Sequence, residues 1–412
     1  MSADTFPTPQ GKQQITFILG SWLLLAGVFS IPLLGNGAHN LLLGLPVILL
    51  LCSRMIIQYP TLLKDNSTAL ICTTLFIWMA ISISWSSAES NYSIKMLSKY
   101  REFLLIPLFM IYFSINSIRK KTFGVLYIAL LLSLIFSYLI HFDIVNFWDN
   151  QHSIKNRIFH GISTAFFAYM SLQAMLAYKK YRFVFVLIFL TTIHNLFFIE
   201  NGRTGYILIC TLTTLFCWQQ WKIKGLLVLL GTGSAIAALV ILYTDLSHLR
   251  LFNNPDANVN SEVFNLSTIQ QIDIRIEYYV FSLLAFMDSW VLGHGIGGFP
   301  QAYLDQHSLI ASHWEPTVNS HNEYLQISVQ TGILGLILFL SFLISILCNR
   351  RNKPILQQQF QTALATTFII SCMFNSSFMD HGDGTLFMIL TALISGTSWN
   401  NSGQPNEDIQ PT

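Results

Sequence analysis

Twelve successive stretches of about 20 mostly apolar residues constrain this chain more than any other feature. They run approximately over 15–34, 38–57, 68–85, 101–117, 122–142, 162–178, 182–200, 203–220, 225–243, 324–347, 360–378 and 383–399. Hydrocarbon offers no partner to a backbone amide or carbonyl, so a segment that crosses it must pair its own backbone, and each stretch is expected to be a helix. Composition agrees: 53% of the 412 residues are hydrophobic and 10% are charged, against roughly 25% charged in a soluble domain. Two stretches fit less well. The fourth begins at Arg101-Glu102 and contains Pro107, and the twelfth is short and rich in Gly and Ser. The expected fold class is an all-α integral membrane protein with about 12 transmembrane helices.

Lys and Arg orient such a bundle. With the N-terminus inside, 14 of the 22 basic residues fall in very short inner connections, among them Lys64, Arg119, Lys120, Lys121, Lys179, Lys180, Arg182, Arg350, Arg351 and Lys353. The longer outer segments hold only Lys95, Lys99, Arg101, Lys155, Arg157, Arg203, Arg250 and Arg275. Both termini are therefore expected in the cytoplasm, with nine helices over 1–243, a large outer loop over 244–323, and three more helices and a short tail over 324–412. The first apolar run is too long, and its single Lys12 too weak a basic region, for a cleavable signal peptide. Six cysteines (Cys52, Cys72, Cys210, Cys217, Cys348, Cys372) all fall in expected spans, read as small apolar packers with neither a disulfide framework nor metal-ligand spacing. The net charge of +2 gives no sign of a nucleic-acid partner.

The outer loop divides into three. Asn253-Asn254-Pro255-Asp256 to Asn265 is Asn-rich and turn-like. Over 269–291 the residues Ile272, Ile276, Tyr279, Val280, Leu283, Met287, Trp290 and Val291 recur every three or four positions, the stripe of an amphipathic helix that lies in the membrane interface or against the bundle. Gly293-His294-Gly295-Ile296-Gly297-Gly298 then fits a dinucleotide fingerprint by letter only. It follows a helix rather than a strand, so its glycines are expected to serve a sharp turn or a close approach. His307, His313 and His321 with Glu315 match no compact metal-ligand pattern, and no metal is expected.

The loop ends in His313-Trp-Glu-Pro-Thr-Val-Asn-Ser-His321-Asn322, which places His321 at the polar mouth of the tenth apolar stretch. A titratable imidazole held at a membrane surface beneath a folded loop points to chemistry on a lipid-borne substrate. Arg203 opens the eighth stretch at the hydrocarbon edge. It either snorkels, pairs with Glu200, or clamps a phosphate, for which a guanidinium fork is well matched. Arg275 lies on the polar side of the loop helix, two residues before Glu277, and is either a surface ion pair or a second such clamp. Lys95, Lys99 and Arg101 crowd an outer end against the positive-inside trend and suit anionic lipid or pyrophosphate; Arg157 and His160 are read as structural.

At these residues the chain resembles the O-antigen ligase family, within the superfamily of O-antigen ligases and polymerases. The family pattern His-[Asn/Ser/Gln]-x9-Gly-x-x-Gly reads here as His321-Asn322, nine residues, Gly332 and Gly335. A second pattern, Arg-x3-Leu at the start of a middle span, reads Arg203-Thr-Gly-Tyr-Ile207, with Ile in place of Leu. Arg275-x-Glu277 followed by the glycine-rich turn and Phe299 also looks like the superfamily's loop. The resemblance implies a glycosyltransferase of the bacterial inner membrane that moves a glycan from undecaprenyl pyrophosphate to a sugar hydroxyl of lipid A–core at the periplasmic face. His321 would be the general base, Arg203 and Arg275 would hold the diphosphate, Lys99 and Arg101 would assist in binding, and Asn322 would orient the imidazole. Neither cofactor nor metal is required, and attack opposite the departing diphosphate would invert the anomeric carbon.

Other readings remain. Some O-antigen polymerases carry Arg-x10-Gly repeats in two outer loops, but the residues eleven after Arg157, Arg203, Arg250 and Arg275 are Ala168, Thr214, Ser261 and Phe286. Enzymes that glycosylate protein Ser or Thr often carry a soluble C-terminal extension, whereas about a dozen residues follow the last stretch here. A twelve-span transporter would show related halves and ionisable groups near the midplane, for which His194 is the one candidate inside a span.

Overall fold

The computed structural model describes residues 12–145, 153–200, 202–243, 274–309, 315–349 and 353–396. Among them every regular element is a helix. The Asn-rich segment 253–265, Arg250 and His313 lie outside the described residues.

Helices α1 (Lys12–Ser30) and α2 (Asn36–Leu51) pack against each other, and the chain then bends by 79° into a tight turn and α3 (Tyr59–Asp65). Next come α4 (Ser67–Ile81), the short α5 (Ser90–Lys99) and α6 (Glu102–Phe113), then α7 (Asn116–His141), α8 (Arg157–Ala177) and α9 (Arg182–His194). A π turn at Asn195–Glu200 leads into α10 (Arg203–Tyr243), where Lys222 breaks the helix at a φ of 53°. The outer segment supplies α11 (Ile274–Asp288) and α12 (Phe299–Leu309). Helices α13 (Glu323–Cys348), α14 (Ile355–Phe374) and α15 (His381–Ser395) complete the order.

Among the described residues four stretches are long and apolar enough to cross a membrane alone: Ser67–Trp85, Asn116–His141, Lys179–Glu200 and Glu323–Cys348. The bent pair of α2 with Arg54–Asp65 would make a fifth, and Ile15–Ser30 and Gly382–Ser395 are apolar but shorter. Twelve spans are thus not all evident from helix length and hydropathy. The physical reason is visible in α8 and α14, which bury Ser163, Thr164, Gln173, Gln357, Gln361 and Thr367 inside the bundle. A helix surrounded by other helices meets little lipid and tolerates polar groups that find partners, as Gln357 does when its Nε2 donates to the Ile394 carbonyl at 2.9 Å. The run expected as two spans over 203–220 and 225–243 is α10, bent at Lys222. Of the stripe read over 269–291, Ile274–Asp288 forms α11; Ile272 lies outside the described residues, and Trp290 and Val291 fall in the turn that follows the helix.

Helix α13 is the hub, packed on α4, α11, α12 and α14, while α15 lies against α6 and α8 against α9 and α10. Rings of α6, α13, α14, α15 and the α14–α15 turn fill the centre. Phe378 stacks on Phe103 with centroids 4.5 Å apart, and Phe368 meets Phe387 edge-on at 4.2 Å. Such pairs add roughly 0.5–1.5 kcal/mol each beyond area burial. Phe378 is tied upward as well, because its backbone amide donates to Glu323 Oε2 at 2.7 Å in the first turn of α13. The aromatic core therefore fixes the height and rotation of the end of α13 that carries His321.

Candidate active site

The His motif is built backbone first. His321 is one of three non-glycine residues with positive φ among the described residues, at 53°. That conformation costs an L-residue about 1 kcal/mol or more and persists only where surroundings enforce it. Here they do. The His321 amide donates to Asn319 Oδ1 at 2.9 Å, the same oxygen accepts from Ser376 Oγ at 2.7 Å, and Ser320 Oγ donates to the Asn322 carbonyl at 2.6 Å. The Tyr279 hydroxyl, from α11, reaches the Met373 carbonyl at 3.0 Å and the His321 carbonyl at 3.4 Å.

Asn322 is the N-cap of α13. Its Oδ1 accepts from the Leu325 amide at 3.1 Å, and its Nδ2 donates to the Met373 carbonyl at 3.1 Å. Both ends of that side chain are thus committed to the scaffold, which orients the histidine through the backbone rather than through the ring.

The two glycines of the motif open the helix. Gly332 has φ 67° and ψ −167°, a break inside α13. There the Ile333 amide donates to the Trp290 carbonyl and the Val329 carbonyl accepts from the His294 amide, both at 2.8 Å. A Cβ on Gly332 would fall onto the Val291 carbonyl, and one on Gly293 (φ 70°) would lie 2.5 Å from the Gly332 nitrogen. The two backbones touch because neither residue has a side chain. Beside them Trp78 Nε1 donates to the Thr331 carbonyl at 3.0 Å, with Gly335 leaving room for the Thr331 side chain. The rest of the glycine-rich loop is spent in the same way. The Ile296 amide donates to Ser82 Oγ at 3.1 Å and the Gly297 amide to Gln330 Oε1 at 2.8 Å, so these amides cradle protein groups and not a phosphate.

On this scaffold the imidazole of His321 is half-buried and stacks on Tyr278 of α11, with centroids 5.5 Å apart and planes 20° from parallel. Its Nδ1 is buried without a hydrogen-bond partner. Burial is the larger cause that holds the ring's pKa below its ordinary value, and the Arg275 charge adds to it; Asp380 pulls the other way. A neutral imidazole at pH 7 is the consequence. Arg275, half-buried one turn before Tyr278 and Tyr279, is the predicted cation that the fold brings to the histidine.

The other predicted residues stand farther round the same end of the bundle. Arg203, half-buried, opens α10, where Gly205 packs on Gly161 of α8 and Gly202 lies beside Arg157. Arg101 Nη2 donates to Asn40 Oδ1 of α2 at 2.8 Å, and Lys99 is half-buried at the end of α5. Between the groups sits Lys155, buried, whose Nζ meets Asn36 Oδ1 at 3.1 Å and lies 3.5 Å from His39 Nδ1. Burial brings the Lys155 ammonium down to about 8 against the opposing pull of Asp380 and Asp383. Asp380 thus acts on both His321 and Lys155 and joins two clusters that the sequence presented separately. His160 bonds through Nε2 to Asn195 Oδ1 at 2.8 Å, with Asn195 Nδ2 on Ser137 Oγ at 2.9 Å, a structural role. His307 packs against Phe281 and Tyr303, and among the described residues no His, Cys, Asp or Glu cluster gathers three potential metal ligands.

Residues 183–340, from the start of α9 to beyond the Gly332 break, match the family model described as O-antigen ligase. The chain thus contains a domain that matches the O-antigen ligase family over 183–340. No curated protein matches the chain. The O-antigen ligase domain contains Arg203, Arg275, His321, Asn322, Gly332 and Gly335, while Lys99, Arg101, Lys155 and Asp380 come from outside it. Together with its apolar helices this makes the chain a bacterial membrane protein with the character of a glycosyltransferase. Tyr278, Asn319 and Asp380 were not singled out from the sequence, and Lys155 was read there only for its charge in orienting the bundle. Met379-Asp380-His381-Gly382-Asp383, three ionisable residues crowded at the start of an apolar helix, was the signal available for Asp380.

Proposed function

We propose that the chain is an O-antigen ligase that transfers a glycan from undecaprenyl pyrophosphate to a sugar hydroxyl of lipid A–core. It would do so at the periplasmic face of the inner membrane, in a bundle of twelve spans with both termini in the cytoplasm. The observation that carries this reading is the strained, half-buried His321 held beside Arg275, its imidazole pKa lowered by burial, inside an O-antigen ligase domain. His321 takes the proton of the acceptor hydroxyl as the hydroxyl oxygen attacks the anomeric carbon, a contribution of roughly 10²–10⁴-fold for a positioned general base. With Nδ1 sealed, Nε2 is the nitrogen that receives the proton. The bond from that carbon to the diphosphate breaks from the opposite face, which inverts the centre, and the diphosphate leaves with the electron pair. Arg275 and Arg203 meet the charge that grows on it, and a guanidinium fork does so with two parallel hydrogen bonds. Lys99 and Arg101 hold the carrier at the rim, and no metal is required because a diphosphate is already a competent leaving group.

Lipopolysaccharide gels test the reading in a ligase-deficient host that makes both the lipid-linked polymer and a compatible core. Wild type should restore the ladder and His321→Ala, at matched membrane level, should not, while the lipid-linked polymer persists. No ladder from well-expressed wild type rejects ligation and turns attention to polymerisation or protein glycosylation.

A further inference from the structure

A cavity of about 660 Å³ opens at the far end of the bundle from His321. Helix α14 measures the distance. Met373, near its C-terminal end, touches Asn322, whereas Leu356 and Phe360 near its start line the cavity. Its 20 residues separate those ends by about 30 Å at 1.5 Å per residue.

The lining is divided by chemistry. One stripe of α7 supplies Asn116, Arg119 and Lys120 from the first turns, then Phe123, Gly124 and Tyr127 deeper in. None of the lining residues is acidic. Arg119 is buried at the rim, with Nη2 donating to Asn116 Oδ1 at 2.9 Å, which fixes the guanidinium in place; Lys120 is exposed beside it. Tyr178 stands on the opposite wall, followed in the chain by Lys179 and Lys180. Below the cations the slot is walled by Met170, Phe185 and Phe360, and a Cβ on Gly124 would meet nothing within 4 Å.

A ligand that suits this space carries negative charge at one end and an apolar chain at the other. Guanidinium and ammonium groups match phosphate oxygens, and the volume falls within the roughly 300–1,000 Å³ of small-molecule sites. We infer that the cavity binds an anionic phospholipid, its phosphate against Arg119 and Lys120 and one acyl chain running past Gly124 towards Phe360. Basic pockets between membrane helices are suited to such head groups. The site stands apart from the proposed transfer chemistry and does not depend on it.

Native mass spectrometry of detergent-purified full-length protein decides the matter. The probes are phosphatidylglycerol, phosphatidylethanolamine and inorganic phosphate. Wild type should retain one phosphatidylglycerol at least about five-fold more tightly than phosphatidylethanolamine, the scale of one basic residue acting on an anionic lipid. Lys120→Glu should remove that preference, Gly124→Trp should remove the bound lipid, and Gly124→Ala should keep it. Thermal unfolding without added lipid checks that each variant is folded. If Gly124→Trp fails that check, the exposed Lys120→Glu decides alone. Equal retention of the two lipids by wild type, or unchanged retention by Lys120→Glu, overturns the proposal. Displacement of the lipid by inorganic phosphate alone also overturns it, because the site would then recognise a free anion.

Discussion

His321 answers to two opposite charges, and each can be removed separately. Arg275 disfavours the imidazolium and Asp380 favours it. Replacing Arg275 by Gln should therefore raise the histidine's pKa and move the acid limb of the pH–rate profile to higher pH. Asp380→Asn should lower the pKa and move the limb the other way. A reconstituted assay with a lipid-diphosphate donor reads both shifts, and a limb that stays put in both variants would mean that His321 is not the titrating base. The same lowered pKa bears on stability. Unfolded histidine takes its proton near pH 6.5, the folded one only at lower pH, so the unfolded chain binds more protons between the two values. Stability from this residue is complete above about pH 6.5 and declines as pH falls through that window. The sequence named His321 and Arg275 because a lone polar cluster at a helix mouth stands out from apolar surroundings. It did not name Tyr278, because a stacking partner on α11 differs from its neighbours only by the direction in which its ring points.

The N-terminal turn of α13 separates a capping role from a binding role. Asn322→Ala should cost about 1 kcal/mol, the usual worth of an N-cap side chain, and Asn322→Ser should recover most of it. Thermal unfolding in detergent measures both, and full recovery of activity with stability in Asn322→Ser would leave Asn322 no direct part in substrate binding. Ten residues on, Gly332→Ala should be more damaging, since it adds strain at positive φ to a collision with the Val291 carbonyl. A loss of roughly 1–3 kcal/mol is expected, with protection from hydrogen exchange lost in the 290–298 loop as well as in α13. An isolated local loss confined to Gly332 would contradict the backbone contact described above. The glycine spacing was legible as a pattern, and the need for close approach could be read from residue type. That Gly293 was the partner could not, because the contact joins positions 39 apart in the chain.

Taken whole, the molecule was legible in class, while helix length and hydropathy among the described residues account for four or five of the twelve expected spans. Apolar runs reveal helices that face lipid, and the helices that bury Gln173, Gln357 and Gln361 against their neighbours give a weaker signal although they occupy the same bundle. Sidedness can be measured directly. In a cysteine-free background, a single cysteine at Thr317 should react with a membrane-impermeant maleimide applied to spheroplasts, and one at Lys180 should react only after lysis. The reverse pattern would place His321 in the cytoplasm and exclude transfer at the periplasmic face. The polar end assembles residues from α2, α5, the segments that lead into α6 and α8, the start of α10, α11, the start of α13 and the α14–α15 turn. For that reason Lys155 and Asp380 were invisible as a pair until the chain was folded.

The break at Gly332 also sets an angle. Trp290 and His294 grip the two sides of that break, and His321 lies eleven positions before it, just ahead of the N-cap Asn322 from which α13 runs to the break. One residue inserted between them would swing the histidine about 100° around the helix axis, away from Tyr278 and Arg275. Four inserted residues would bring it back to within about 40° of its bearing but about 6 Å too far along the axis. The nine-residue interval of the motif is therefore a phase relation between catalyst and clasp, and the chain can vary what it writes there but not how long it is.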